Sequence, residues 1–237
     1  NPNSSFYNIS RTLRLKGKLD TVALQKSLNT ILERQELLRT NYFSGENATP
    51  KLRISSEPQL FFKSADFTHV NESEREEVLK KELLKNLNAP FNLSDDSLLR
   101  VWHFSYGEET HLLQFSFHHI ICDEWSMEVF FSQLSELYAT YLQGALPEPQ
   151  NLPVQYSDFA HWQRQRLSGE RLNIQLNYWK EKLGGQLPLL QLPTDRARPS
   201  VQGYRGGVVS LSLSEKTSSL LRDYSRAEGA TLFMTLF

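Results

Sequence analysis

The chain has 237 residues, with 26 Lys plus Arg against 27 Asp plus Glu and a formal net charge of −1, which argues against a protein whose main work is gripping phosphate backbones. Hydrophobic residues make up 39% and charged residues 22%, and the mean hydropathy is −0.46. That is a globular composition of one or two domains, with no apolar run near the roughly 20 residues a membrane helix needs. Cys122 is the only cysteine, which excludes an internal disulfide framework and a multi-Cys zinc site.

The opening NPNSS has no signal-peptide character, and the closing TLFMTLF is apolar up to Phe237. A terminus seldom leaves such a stretch with nothing to pack on. The sequence therefore reads as a segment of a longer chain, with a cytoplasmic location as the expectation. Tyr7, Ile9, Leu13 and Leu15 share one parity and predict a strand. Asp20 caps a helix whose inward stripe is Leu24, Leu28, Ile31 and Leu32. Leu38 to Phe43 reads as a strand, and the turn-rich stretch 44–69 contains short strands near 51–54 and 59–63. Ser73 and Glu76 form a capping-box pattern opening a charged helix with Val78, Leu79, Leu83 and Leu87 inward, stopped by Pro90.

Two strong β runs, Leu98 to Tyr106 and His111 to Phe117, predict a hairpin. Ser126 is the expected cap of a helix bearing Val129, Phe130, Leu134, Leu137 and Tyr138, with Gly144 as its stop. A loop, ALPEPQNLP, precedes helices over 157–167 and 171–183. Residues 184–205 read as a linker-like loop, 208–213 as a strand, and Ser214 as a further helix cap. Alternating strands and helices favour an α/β or α+β sandwich with a mixed sheet and packed helices.

The sharpest local feature is HHIICDEWS, residues 118–126, at a strand end before a helix. An imidazole held there can take or give a proton near neutral pH, though on spacing alone paired histidines at a strand end are more often structural, or packed against a carboxylate, than catalytic. Asp123 can orient a ring N–H or pair with an arginine. A metal site built from His118, His119 and Asp123 is disfavoured, because adjacent histidines on an extended strand point to opposite faces. Trp125 reads as core and Cys122 as a small buried hydrophobe. No nucleophile elbow, Walker A loop or dinucleotide fingerprint is present, and GYRGG at 203–207 has the wrong spacing. The glycosylation sequons at Asn3, Asn8, Asn47, Asn71 and Asn92 read as chance in an Asn- and Ser-rich chain without a secretory signal.

HHIICDEWSM resembles the HHxxxDG signature of the condensation domains of nonribosomal peptide synthetases, in the chloramphenicol acetyltransferase-like superfamily. RQELLRTNYF (34–43) resembles that family's R-H-E-x-L-R-T segment. VQYSDFAHWQRQRL (154–167) resembles its Y-x-D-[FY]-A-x-W-Q segment. NYWKEKLGG (177–185) and LPTDRARP (192–199) resemble the linker that follows. The order matches over nearly the whole chain. Glu124 stands where the motif has glycine, and Gln35 where the arginine segment has histidine.

The resemblance implies the amino-terminal half of one condensation domain over residues 1–237, lacking its first strand and its carboxy-terminal half. In that family two halves enclose a tunnel leading to the histidine motif. The implied reaction is amide-bond formation between a thioester donor on an upstream carrier protein and the amine of an aminoacyl thioester on a downstream one. Substrates ride on the carriers' 4′-phosphopantetheine, the domain itself binds no cofactor or metal, and an adenylation domain is adjacent. Neither nucleic acid nor membrane is an implied partner. By resemblance His119 is the central residue. Asp123 would fix the turn by pairing with an arginine. His118, Trp125, Ser126, Arg34 and Arg39 support the site, and Trp179 packs between helix and sheet or lines the tunnel. The rival readings are a catalytically decayed docking platform of the same family and a stand-alone acyltransferase using coenzyme A. The segment alone is expected to be inactive.

Overall fold

The computed structural model describes residues 4–107, 109–148, 152–197, 199–200, 207 and 209–237. Asn3, part of the loop at 145–153, Arg198 and most of the stretch 201–208 lie outside the described residues. The chain divides into two units, Asn1–Leu189 and Leu190–Phe237. The first runs β1 (Asn8–Lys16), α1 (Thr21–Arg34), β2 (Thr40–Ser44), β3 (Pro50–Ile54), β4 (Phe61–Asp66), α2 (Glu72–Leu87), β5 (Leu99–Gly107), β6 (Thr110–His118), α3 (Glu124–Leu142), α4 (Tyr156–Arg166) and α5 (Gly169–Leu183). The second carries α6 (Glu215–Ala227) and α7 (Leu232–Leu236).

Four strands form a mixed sheet in the order β1-β6-β5-β4. β6 lies antiparallel to both β1 and β5, and β4 runs parallel to β5. Strand alternation gives the sheet two buried faces. On one, Leu99 and Val101 of β5 and Leu113, Phe115 and Phe117 of β6 meet Leu24, Leu28, Ile31 and Leu32 of α1 and Phe130, Leu134 and Leu137 of α3. On the other, Trp102, Phe104 and Leu112 meet Leu79 of α2. Phe115 and Phe117 are fully buried, and both meet Phe130 edge to face at centroid distances of 5.9 and 5.2 Å. This core lies directly beneath the end of β6.

Local chemistry explains most of the boundaries. Asp20 caps α1 as expected, accepting the N–H groups of Val22 and Ala23 at 2.9 Å. Ser214 caps α6, accepting from Thr217 N–H at 3.1 Å. Gly144 follows α3 with φ of 70°, the left-handed backbone that favours glycine.

Three expectations are corrected. α2 starts behind Asn71, not Ser73, and Asn71 makes no side-chain cap. Its first turn is anchored instead by Arg75, which donates to the carbonyls of Tyr106 (2.7 Å) and Val70 (2.9 Å). Leu38 belongs to a 3-10 turn, Glu36–Arg39, and the strand begins at Thr40. Residues 209–213 form no strand. A strand needs a ladder partner, and the second unit offers none among its described residues.

Candidate active site

β6 delivers the chain to His118, which pairs with Asn8 of β1. The turn beyond is tied down by its backbone. His118 N–H donates to Leu98 C=O (3.0 Å), His119 N–H to Tyr7 C=O (2.8 Å), and Ile121 N–H to His118 C=O (3.0 Å). The two imidazoles then have different surroundings. His118 is half-buried, with Phe91 edge-on and Tyr7 tilted, each at a centroid distance of 6.0 Å. Its Nδ1 accepts Ile120 N–H at 3.1 Å, which places its own proton on Nε2. Burial, with His119 beside it, holds its proton affinity below the ordinary histidine range. His119 is exposed. Its main-chain N–H is fixed by Tyr7 while the residue is open to solvent.

Asp123 is the N-cap of α3, and this corrects the expectation that Ser126 caps it. Oδ1 of Asp123 accepts both Ser126 N–H (2.8 Å) and Ser126 Oγ–H (2.5 Å). These bonds, the side-chain one foremost, hold its carboxyl below the usual range, and the nearby His119 adds to the effect. Among the described residues no arginine pairs with Asp123. The arginine at this turn is Arg11 of β1, whose Nη2 lies 2.5 Å from Oε1 of Glu124. Glu124 is the first helical residue, and its backbone is not left-handed. The glycine of the family motif is therefore not required here on conformational grounds.

Trp125 is not core: it is 76% exposed. It sits on the outward side of the first turn of α3, while Met127 and Phe130 take the inward positions. Cys122 is buried as expected. Burial above all, then Asp123 and Glu124, pushes its thiol up to about 12, so it is not an available nucleophile. Gln35, Ile121, Cys122, Trp125 and Ser126 line an apolar cavity of about 190 Å³ beside the turn.

Arg34 and Arg39 lie elsewhere, around a polar pocket with Glu36, Tyr141 and Gln155. Arg34 donates to Glu148 C=O (2.9 Å), and Arg39 donates to Ser55 C=O. They brace the end of α1 and touch neither histidine. The resemblance segments at 34–43 and 154–167 do meet. Gln155 accepts Glu36 N–H (3.2 Å) and donates to Arg34 C=O (2.9 Å), and Ser157 donates to the Glu36 carboxylate (3.1 Å). Trp179 does not pack between helix and sheet. It is 56% exposed and meets Tyr178 edge-on at 5.2 Å. Among the described residues no cluster of three or more His, Cys, Asp and Glu is placed to hold a metal ion. No helix there is long and apolar enough to cross a membrane. Tyr7 and Arg11 join the site without any signal in the local sequence. Both act from more than 100 residues away along the chain, and nothing near them marks the role.

A family model of the condensation domain matches residues 1–237. A linear gramicidin synthase of Brevibacillus parabrevis is 40% identical over 236 residues, covering 99% of this chain and 3% of that protein. Phosphinothricin tripeptide synthetase PhsC of Streptomyces viridochromogenes is 32% identical over 235 residues, covering 99% of this chain and 22% of that protein. The chain thus spans a small part of these relatives. Among solved structures, the X-domain from teicoplanin biosynthesis superposes with a TM-score of 0.77 in its complex with OxyB, at 31% identity over 98% of this chain and 50% of that one. The first condensation domain of the calcium-dependent antibiotic synthetase, bound to a substrate analogue, gives a TM-score of 0.77 at 19% identity, over 98% of this chain and 54% of that one. That likeness speaks for the fold, chloramphenicol acetyltransferase-like with a mixed sheet and packed helices.

Proposed function

The chain belongs to the condensation-domain family, and from that premise we propose that it serves amide-bond formation between two carrier-bound thioesters in a nonribosomal peptide synthetase. It would act as the amino-terminal half of a domain, a reading supported by its covering about half of the related solved chains. The observation that carries the function is an exposed His119, its backbone anchored to Tyr7, four residues before an ionised Asp123 that caps the following helix.

The amine of the acceptor attacks the donor thioester carbonyl, the C–N bond forms, and the C–S bond breaks. The proton lost by the amine ends on the departing thiolate. An α-amine with a pKa of roughly 7.7–8.0 has a neutral fraction at working pH, so the remaining tasks are positioning, oxyanion stabilisation and proton transfer. His119 accepts the amine proton or positions the amine. Asp123 holds the turn. His118, kept neutral and packed on Phe91, supports the strand end. The thioester is already activated, so no cofactor is assigned to this domain. The carriers' phosphopantetheine arms bring the substrates, and an adenylation domain loads them.

A second reading is recruitment of another protein without catalysis, favoured by one observation: the X-domain likeness is to a structure solved as a complex with OxyB. The two readings part in a transfer assay. The whole domain is mixed with a loaded donor carrier and a loaded acceptor carrier, and acyl transfer is followed by intact-protein mass spectrometry. Transfer supports condensation. Docked carriers without transfer, over several acyl pairs, support recruitment. Transfer from coenzyme A thioesters alone, with carriers inert, would mark a free acyltransferase.

A further inference from the structure

We infer that the Arg11–Glu124 ion pair is a positioning clasp, holding the first turn of α3 against edge strand β1 so that His119 and Asp123 keep their relation. The inference rests on the function proposed above. Glu124 occupies the position that is glycine in the family motif, and a glycine there could make no such contact. Its carboxylate reaches Arg11 Nη2 at 2.5 Å, bridging residues 113 apart in sequence. The entry to the turn is already gripped by Asn8 of β1, paired with His118, and by the carbonyl of Tyr7 just before the strand, which takes His119 N–H. Arg11, opposite Phe115 in the register, grips the exit. The motif residues thus lie between attachments to β1 and to the residue that leads into it.

The helix N-terminus by itself favours a carboxylate at Glu124. It does not choose the direction in which that carboxylate pulls; Arg11 supplies that. The side chains are 44% and 70% exposed, and an exposed pair contributes little. The expected effect is correspondingly small, and it is directional.

The test uses the intact synthetase protein with Arg11→Ala, Glu124→Ala, the double variant and Arg11→Lys. Two quantities are read: kcat and KM for transfer between loaded carriers, and the iodoacetamide alkylation rate of Cys122, resolved by peptide mass spectrometry. Cys122 lies inside the turn and is buried, so its labelling reports opening of the turn. Each alanine variant is expected to lose about two- to fivefold in kcat with KM unchanged. The double variant should lose no more than either single, and Arg11→Lys should keep most of the rate. Cys122 labelling should quicken in the alanine variants and not in Arg11→Lys. Unchanged kcat, additive losses, or an effect on KM alone would overturn the clasp. If the unaltered protein transfers nothing, the proposed function falls, and the labelling still decides. Glu124→Ala also removes a charge that pushes the Cys122 thiol up, so Arg11→Ala decides: faster labelling there upholds the clasp, and an unchanged rate overturns it.

Discussion

Gln114 is 2% exposed in the middle of β6, the strand that carries the histidines, and faces α2. Asn86 of α2, 8% exposed, donates from Nδ2 to Gln114 Oε1 at 3.0 Å, and Gln114 Nε2 donates to Leu83 C=O at 2.8 Å. Replacing Gln114 with Leu keeps the bulk but strands the Asn86 amide in a dry layer. An orphaned buried donor costs about 1–3 kcal/mol, and the added apolar burial recovers part of that. We expect Gln114→Leu to destabilise by about 2 kcal/mol. Removing both polar partners is far milder than removing one. Asn86→Leu/Gln114→Leu should therefore lie within about 1 kcal/mol of the parent. Urea denaturation followed by tryptophan fluorescence reads this directly. At a slope of about 1–3 kcal/mol/M, the single variant moves the midpoint by roughly 1 M and the double by much less. A neutral Gln114→Leu, or a double variant whose loss is the sum of the singles, would refute the reasoning.

Other outcomes follow from the same contacts. His103 is buried between Ser64 Oγ (3.2 Å) and His111 Nδ1 (3.1 Å). Burial, then His111, lowers its proton affinity, as burial and His119 do for His118. The folded chain therefore binds fewer protons than the unfolded one below the free value of 6.5. Stability is full above that pH and erodes beneath it, whereas the lowered Asp66 and Asp123 matter only near and below 3.8. Thermal midpoints should fall between pH 7.5 and 5.5, and His103→Gln should flatten the slope; a flat profile in the parent contradicts this. Cys122, with its thiol near 12, should resist alkylation at pH 8 until denaturant is added, and rapid labelling of the folded protein would show the turn to be open. Trp125→Ala should change stability by no more than about 0.5 kcal/mol in a denaturation experiment, as for an exposed side chain; a loss of several kcal/mol would put the ring in the core.

Features that depend on neighbours in sequence were legible. The stripe Leu24, Leu28, Ile31 and Leu32, the Asp20 cap and the β5–β6 hairpin all follow from spacing. Where two capping residues compete, spacing alone does not choose. Asp123 and Ser126 both precede the stripe Met127, Phe130, Leu134, and Ser126 becomes a donor to Asp123 instead of the cap. Trp125 shows a different limit. Its size suggests core, but the helix phase set by Met127 and Phe130 turns it outward. Long-range partners have no local signal at all. The parallel β4–β5 pairing, the Tyr7 carbonyl under His119 and the Arg11–Glu124 pair each join residues far apart along the chain. The histidine motif itself was readable, because its chemistry sits within nine consecutive residues.

The most direct test of the account compares His119→Ala with the parent in carrier-to-carrier transfer by the whole domain, at matched folding and carrier docking. The expected result is a loss of about a hundredfold or more, the scale of a proton-transfer group. Transfer unchanged by the substitution would contradict it and remove His119 from the centre of the site.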